Sequence, residues 1–361
     1  MSTSEILAKN AGILVCPACN RGLDLSPDRL GCLSCGNEFR CEDGIPMLFW
    51  SNDWSGNRPD VTETVKLFYE RTPFPNYDDL DSSTALREKA QKGVFARLLD
   101  EQIPFGARIL EVGCGTGQLS NFLGMTWGRN VFGADACLNS LKLGHGFSKD
   151  NHIENVCFIQ MNLFRPVFKS ESFDIVVCNG VLHHTSDPFL GFQAISKLIK
   201  LGGFVLIGLY NRYSRLTTDF RRFVFRVSGD RFQFLDPRLR DKNASAVKKH
   251  TWFMDQYKNP HASKHSIGEV QRWFDVSGFE FVNSIPKSTG DSFFRDEKLF
   301  EPHPRGSKVD HFLVQFGELL RGGRDGGFFI MIGRKVAYRT PRGRQNTLPR
   351  AGGRFSLEQR G

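Results

Sequence analysis

The sequence predicts an α/β fold with a mostly parallel sheet, and two observations carry this prediction. From Arg108 to Ser120 the chain reads RILEVGCGTGQLS, in which a short apolar run, a glycine-rich turn and the start of an amphipathic helix follow one another. Further apolar runs suited to buried strands then alternate with helical patterns, as in sheets that are covered by helices. We expect these strands at 130–134, 156–160, 173–178, 203–209, 279–285 and 327–333.

The glycine-rich turn predicts a nucleotide-like cofactor. Gly113, Gly115 and Gly117 permit a sharp turn and the close approach of a ligand. The helix that follows presents unpaired N–H groups to that ligand. A dinucleotide loop would have glycine where this chain has Gln118. Glu111 would repel a pyrophosphate but attract the ammonium and sulfonium groups of S-adenosylmethionine (SAM), so SAM is the expected cofactor.

A second acidic residue, Asp135, closes the next strand 22 residues after Gly113, near the spacing of roughly 20 for an acid that accepts ribose hydroxyls. The stretch from about 85 to 209, with a looser continuation to 335, resembles class I SAM-dependent methyltransferases. The motifs that carry the resemblance are, in order, EVGCGTG, GAD, MNLFR, FDIVVCNGVLHHTSDP and LIKLGGFVLIG. It implies a Rossmann-like sheet of seven strands whose last two form an antiparallel pair.

The resemblance also implies further cofactor contacts. Asn162 stands where many relatives have an aspartate that contacts the adenine amino group. Asn179 follows the fourth strand at the carboxyl edge of the sheet, where open α/β sheets bind ligands. Related enzymes often close aromatic residues over SAM, which makes Tyr69, Phe74 and Tyr77 candidates for a cofactor lid.

Two adjacent histidines, His183 and His184, follow Asn179 and are candidate general bases, because imidazole titrates near neutrality. The alternative is that this turn belongs to the family scaffold, with His184 ordering the loop and Asp187 capping a helix from Pro188. Methyl transfer to an already deprotonated acceptor needs only in-line positioning.

Four cysteines near the N-terminus, Cys16, Cys19, Cys32 and Cys35, form two C-x-x-C pairs separated by twelve residues. This spacing predicts one structural zinc ion held tetrahedrally. A redox pair is the weaker alternative, since a thioredoxin-type site has one C-x-x-C in a βαβ unit. Cys41 fits neither pair and is expected to be unligated.

The cysteine segment resembles the small zinc-ribbon proteins that activate certain RNA- and protein-modifying methyltransferases, down to its closing DGIPMLF. Two roles remain open for it: a substrate-docking module, or a cap that rigidifies the N-terminus. We expect a zinc ribbon at 1–50, a linker and cofactor-lid segment at 51–83, a methyltransferase domain at 84–336 with a lid insertion at 210–262, and a basic disordered tail at 337–361.

The insertion contains a helical pattern over 214–227 with an apolar face. That face comprises Leu216, Phe220, Phe223, Val224 and Val227, and Arg221, Arg222 and Arg226 lie opposite or beside it. Three interpretations compete. The helix could pack its apolar face on the core and form an acceptor pocket, present a basic and aromatic surface to nucleic acid, or lie on a membrane or lipid-like acceptor.

Charge and composition restrict the function classes. The net charge of the 361 residues is +9, of which residues 335–361 contribute +6, residues 210–258 contribute +7 and the remainder −4. Anionic partners should therefore meet those two segments. No apolar run approaches a membrane span, and the N-terminus lacks a secretory signal pattern. With nine cysteines, these features predict a cytoplasmic protein.

We therefore predict a SAM-dependent methyltransferase that acts on a small-molecule or lipid-like acceptor. The aromatic insertion and the likeness of the core to quinone- and natural-product-modifying methyltransferases favour that acceptor. The zinc ribbon and the segregated basic charge favour RNA instead. A non-catalytic zinc-ribbon scaffold is the alternative from another class, and the intact glycine loop and Asp135 argue against it.

Overall fold

A computed structural model describes residues 3–26, 29–54, 59–78, 80–320 and 327–337. The N-terminal part contains helix α1 (Thr3–Lys9) and a small antiparallel sheet. Its strands are β1 (Asp24–Leu25), β2 (Arg29–Gly31), β3 (Glu38–Glu42) and β4 (Ile45–Pro46). The turns before β1 and after β2 bring the two C-x-x-C pairs together, so the predicted ribbon is confirmed.

A seven-stranded sheet forms the centre of the molecule, with the strand order β10-β11-β9-β8-β5-β6-β7. Strands β5 to β9 run parallel, whereas β11 pairs antiparallel with both β9 and β10. The strands are β5 (Arg108–Val112), β6 (Asn130–Asp135), β7 (Val156–Gln160), β8 (Phe173–Asn179), β9 (Ile199–Tyr210), β10 (Phe279–Ile285) and β11 (Phe328–Lys335). The predicted fold class is confirmed, including the antiparallel pair that ends the sheet.

Helices cover both faces of this sheet, as the alternating pattern requires. The helices of the sheet domain and its insertion are α2 (Thr62–Arg71), α3 (Ser83–Lys92), α4 (Val94–Gln102), α5 (Gln118–Gly124), α6 (Leu138–Asp150), α7 (Pro188–Ser196), α8 (Leu216–Ser228), α9 (Ala246–Phe253), α10 (Ile267–Val276) and α11 (Lys308–Leu320). Asp187 caps α7 by accepting a hydrogen bond from the Leu190 N–H at 3.0 Å, as predicted. Gly278 follows α10 at a φ of +77°, as expected for a helix stop.

The sequence pattern over 84–102 predicts one helix, and this prediction is wrong. The chain forms α3 and α4, because Gly93 takes an extended conformation with φ −82° and ψ 115°. The Gly93 N–H donates a hydrogen bond to the Ala90 carbonyl at 3.0 Å, which ends α3. Glycine has a low helix propensity, so a break at this position costs little.

The ribbon packs directly on the sheet domain. Leu14, Leu30 and Phe39 are buried in the same hydrophobic cluster as residues of β5, β6 and β7. The backbones also join, since the Val15 N–H donates to the Val167 carbonyl at 2.9 Å and the Leu48 N–H donates to the Gln160 carbonyl at 3.0 Å. The ribbon is therefore part of the core of the described structure.

The insertion after β9 contains α8, a short 3-10 turn (Gln233–Leu235), α9 and a π turn (Met254–Lys258). The interpretation that α8 packs its apolar face on the core does not hold, because Leu216, Phe220, Phe223 and Val227 are exposed. The helix instead buries Phe225, which packs against Phe253 and Tyr257, and the inward-facing side also buries the Arg215 guanidinium, which is hydrogen-bonded to Gln256.

Two remaining predictions concern the basic tail and the lack of a membrane-spanning segment. Apart from Ala337, the predicted tail at 337–361 lies outside the described residues, as do residues 55–58 of the linker. Across the part of the chain that the structure describes, every helix is too short or too polar to cross a bilayer.

Candidate active site

A cavity of about 450 Å³ opens at the carboxyl ends of the parallel strands. It lies where the strand order reverses, between β5 and β8, which is the ligand position of open α/β sheets. The cavity wall contains most of the predicted site residues. These are Tyr69, Glu111, Gly113, Gly115, Asp135, Asn162, Asn179 and His184.

The glycine-rich turn after β5 needs glycine for two reasons. Gly113 and Gly115 have φ values of +68° and +54°, which L-residues with side chains rarely adopt. A side chain would also collide with neighbours, because a Cβ on Gly113 would overlap the Val181 side chain and one on Gly115 would lie 2.5 Å from the Phe74 carbonyl oxygen. The turn therefore keeps this conformation, and leaves room for a ligand, only with glycine at positions 113 and 115.

Two carboxylates face the cavity beside this turn, of which Glu111 is buried and Asp135 is partly buried. Asp135 accepts hydrogen bonds from the Gly115 N–H and the Cys137 N–H, both at 2.8 Å, and burial raises its pKa. Glu111 accepts a hydrogen bond from the Ser120 hydroxyl at 2.5 Å. Burial, with a smaller contribution from Asp135, raises the pKa of Glu111 to about 7. The paired acids favour a ligand that brings positive charge into the cavity.

Asn162 and Asn179 occupy the cavity wall in different ways. The Asn162 amide donates to the Trp50 carbonyl at 2.8 Å and to Asn52 Oδ1 at 2.9 Å, and its oxygen accepts from the Phe164 N–H at 3.1 Å. It thus fastens the end of the ribbon to the cavity. The buried Asn179 Oδ1 has no hydrogen-bond partner within the described residues. A direct adenine contact by Asn162 stays a prediction.

The insertion forms the part of the cavity wall that lies away from the glycine turn. The buried Asp255 carboxylate accepts from the Tyr69 hydroxyl at 2.7 Å and from Gln256 Nε2 at 2.7 Å. Gln256 Nε2 also donates to the Tyr210 hydroxyl at 3.0 Å. Asn259 Nδ2 donates to the Tyr69 hydroxyl at 2.8 Å. These contacts hold the polar side chains in fixed orientations around the cavity.

The structure separates the two candidate histidines. His184 lines the cavity, and its Nδ1 lies 2.7 Å from the His261 carbonyl oxygen. Because a carbonyl only accepts, Nδ1 carries the proton and the neutral ring has its lone pair on Nε2. Burial lowers the pKa of His184. His183 is fully buried, contacts the Tyr210 ring at a tilt of 33° with centroids 3.8 Å apart, and lies outside the described cavity wall.

Comparison with known proteins agrees with this geometry. Residues 110–207 match a protein family described as a methyltransferase domain. This part of the chain carries a SAM-dependent methyltransferase domain. The ubiquinone biosynthesis O-methyltransferase of Glaesserella parasuis is 30% identical over 31% of this chain and 48% of its own. The chain spans about half the length of such curated relatives.

Two further similarities cover a larger share of the chain. An uncharacterized protein of Synechococcus sp. is 25% identical over 251 residues, which cover 62% of this chain and 60% of the relative. A solved complex of a methyltransferase activator from Haloferax volcanii with a methyltransferase aligns over 71% of this chain and 94% of the solved chain, with 13% identity and a TM-score of 0.44.

The residues of the methyltransferase domain fit SAM. The glycine turn keeps space open, Glu111 and Asp135 supply negative charge, and the Asn179 oxygen offers a buried acceptor. Gly117 follows in the same turn, with its Cα against the Phe158 ring. Tyr69 and Phe74 line the cavity, whereas Tyr77 packs behind the turn, where its hydroxyl donates to the Thr116 carbonyl at 2.9 Å. Lid roles for Tyr69 and Phe74 stay predictions.

Replacement of Glu111 by glutamine tests the charge of this pocket. The folded protein holds the pKa of Glu111 near 7, above its value of 4.5 in an unfolded chain. The folded state therefore binds more protons between these values, and stability falls as pH rises from 4.5 to 7. We expect Glu111→Gln to stabilise the apoprotein at pH 8 by up to about 3 kcal/mol and to weaken SAM binding at least ~10-fold. Thermal unfolding at pH 5 and pH 8, with calorimetry of SAM binding, measures both; a variant that binds SAM normally contradicts the electrostatic role.

The four cysteines of the ribbon fit zinc. The four sulfur atoms all lie within 4.8 Å of one another, and Cys16 Sγ lies 3.7 Å from Cys35 Sγ, as Cys19 Sγ lies 3.4 Å from Cys32 Sγ. A tetrahedral site with Zn–S bonds of about 2.3 Å places sulfurs about 3.8 Å apart. The distances exclude disulfides, and all four thiols are free. Cys41 is not in this cluster, as predicted.

Several cavity residues were not predicted as site residues. They are Tyr210, Arg238, Trp252, Asp255 and Gln256. Trp252 is recognisable in the sequence only as one of several aromatic residues, and the Asp255–Gln256 pair has no motif spacing. Tyr210 ends β9, whereas the fold of the insertion, which returns the chain to the carboxyl edge of β8, brings the other four side chains to the cavity.

Proposed function

We propose that the protein transfers the methyl group of SAM to a hydroxyl oxygen of a small-molecule acceptor. The observation that carries this proposal is the far end of the cavity, where the insertion encloses His184 and Tyr69 beside the cofactor turn. A cavity of this size suits a small ligand. The partial similarity to O-methyltransferases of ubiquinone biosynthesis supports an oxygen acceptor.

One group of residues would bind the cofactor, and a second group would orient and deprotonate the acceptor. SAM supplies an electrophilic methyl group when bound. The glycine turn, Asp135 and Glu111 would hold the cofactor. His184 would accept the acceptor's hydroxyl proton on Nε2, since its lowered pKa keeps the ring neutral at pH 7. The fixed Tyr69–Asp255 pair would orient the acceptor and exclude water.

Replacement of His184 by asparagine tests the base. We expect kcat to fall by about 100-fold or more, with SAM affinity nearly unchanged. In the unsubstituted enzyme, activity should be level near pH 7 and fall only below pH 6.5, because burial lowers the pKa of His184 and acid protonates Nε2. The matched control is His183→Phe, which keeps an aromatic ring against Tyr210. An equal loss in both variants would indicate a packing defect and contradict the assignment.

The acceptor class is tested with methyl-labelled SAM and an extract of the source cells. Label in the small-molecule fraction supports the proposal, and the labelled compound identifies the acceptor. Label confined to RNA overturns it. Absence of SAM binding by calorimetry would instead revive the non-catalytic scaffold.

RNA is the second candidate, favoured by the net charge of +7 on residues 210–258. The two candidates differ in salt dependence. RNA affinity should fall steeply as salt is raised, since binding releases counterions, whereas a neutral acceptor should respond little. Titration of tRNA and rRNA fragments at two salt concentrations measures this difference.

A further inference from the structure

Two helices of the described structure, α8 and α11, each expose a stripe of apolar side chains to solvent. On α8, Leu216, Phe220, Phe223 and Val227 are 51%, 65%, 63% and 70% exposed. Their spacing of four, three and four residues places them on one side of the helix. Such a patch marks a binding surface.

The second stripe lies on α11 and comprises Val309, Phe312, Leu313 and Phe316, which are all exposed. It adjoins the first, because the Tyr213 ring just before α8 contacts the Phe312 ring edge-on at a centroid distance of 6.1 Å. We call the eight residues of the two stripes the apolar surface. A groove lined by Leu216, Phe220 and Leu235 opens beside it.

Basic side chains accompany the α8 part of the apolar surface. Residues 210–258, which contain α8, have a net charge of +7. Arg226 and Arg231 are exposed beside the end of the α8 stripe. The nearby acid Asp230 is already paired with Lys258 at 2.7 Å. Apolar side chains that project between cations are complementary to a bilayer surface with negative headgroups.

We propose that the apolar surface docks on an anionic lipid bilayer, with the phenylalanines in the interfacial layer and the arginines at the headgroups. A second copy of the chain fits less well, since a two-fold contact would bring two segments of charge +7 together. RNA fits less well because half of the apolar surface is aliphatic and offers no stacking face to a base, namely Leu216, Val227, Val309 and Leu313.

The bilayer surface and the cavity share one segment of the chain. Arg238 stacks on Trp252 with the guanidinium carbon 4.0 Å from the ring centroid, and both line the cavity. Leu235, three residues before Arg238, lines the groove beside α8. The docked insertion would therefore place the cavity wall close to the lipid, where an amphiphilic acceptor dissolves. The docking itself does not depend on methyl transfer.

Co-sedimentation of the full-length, zinc-loaded protein with vesicles tests the proposal without SAM or acceptor. Binding is expected to vesicles of equal parts phosphatidylcholine and phosphatidylglycerol, and to be much weaker to phosphatidylcholine alone. Phe220→Ser with Phe223→Ser should reduce the vesicle partition coefficient at least ~10-fold. Arg226→Glu with Arg231→Glu should reduce it at least ~10-fold at low salt, with a smaller effect at high salt.

The matched control is Leu201→Ser, which replaces an exposed apolar residue of β9 outside the apolar surface and should leave binding unchanged. Circular dichroism and thermal unfolding establish that the variants fold. Equal vesicle binding by the phenylalanine variant and the parent overturns the proposal. So does a dimer by sedimentation velocity that dissociates in this variant, or binding of RNA with no binding of vesicles. Each readout is independent of whether the acceptor proposal holds.

Discussion

Cys32→Ser is expected to unfold the ribbon and to weaken SAM binding in the same variant. Cys32 is a buried member of the four-cysteine cluster, and a lost ligand removes much of the folding free energy that zinc supplies to so small a unit. The ribbon shares the hydrophobic core of the sheet and, through Trp50, holds Asn162 at the cavity. We expect a loss of at least ~3 kcal/mol in stability and of ~10-fold in SAM affinity.

Zinc content by atomic spectroscopy, thermal unfolding and calorimetry of SAM binding measure these changes together. Cys41→Ser is the control, since Cys41 lies outside the cluster, and we expect it to retain zinc. Chelation of zinc from the unsubstituted protein should reproduce the effect of Cys32→Ser. Normal SAM affinity in the zinc-free protein would restrict the ribbon to the docking role that the sequence left open.

Gly115→Ala is expected to reduce SAM affinity by about 100-fold, which corresponds to about 2.7 kcal/mol. Alanine is strained at a φ of +54°. Its methyl group would also lie 2.5 Å from the Phe74 carbonyl oxygen, so either the turn or the segment at Phe74 must move. Movement of the turn would break the hydrogen bond from the Gly115 N–H to Asp135.

Calorimetry of SAM binding measures the affinity of this variant, and thermal unfolding reports its stability. Gly146→Ala is the matched control, because Gly146 lies within α6 with no atom near the position of an added Cβ. It should bind SAM normally and be slightly more stable, since alanine favours helices. Wild-type affinity in Gly115→Ala would show that the cofactor does not approach this turn.

The sequence predicts the central sheet well, because each strand is encoded locally. Apolar runs bounded by turns mark β5 to β9, and the glycine turn after β5 specifies where the chain reverses. The break at Gly93 was missed because the apolar pattern continues across it. Periodicity reports which face is apolar, but it does not report a change in backbone direction.

The sequence alone predicted the residues that we propose to hold zinc and the cofactor: the four ribbon cysteines, the glycine turn and the acids Glu111 and Asp135. These residues act through short-range spacing, so their roles are visible in the chain. The tertiary structure decided which other side chains line the cavity. It placed His184 rather than His183 at the cavity, brought Asp255 there from 120 residues beyond Asp135, and turned the apolar face of α8 outward. Amphipathicity defines two faces of a helix, and only packing of residues such as Phe225 decides which one is buried.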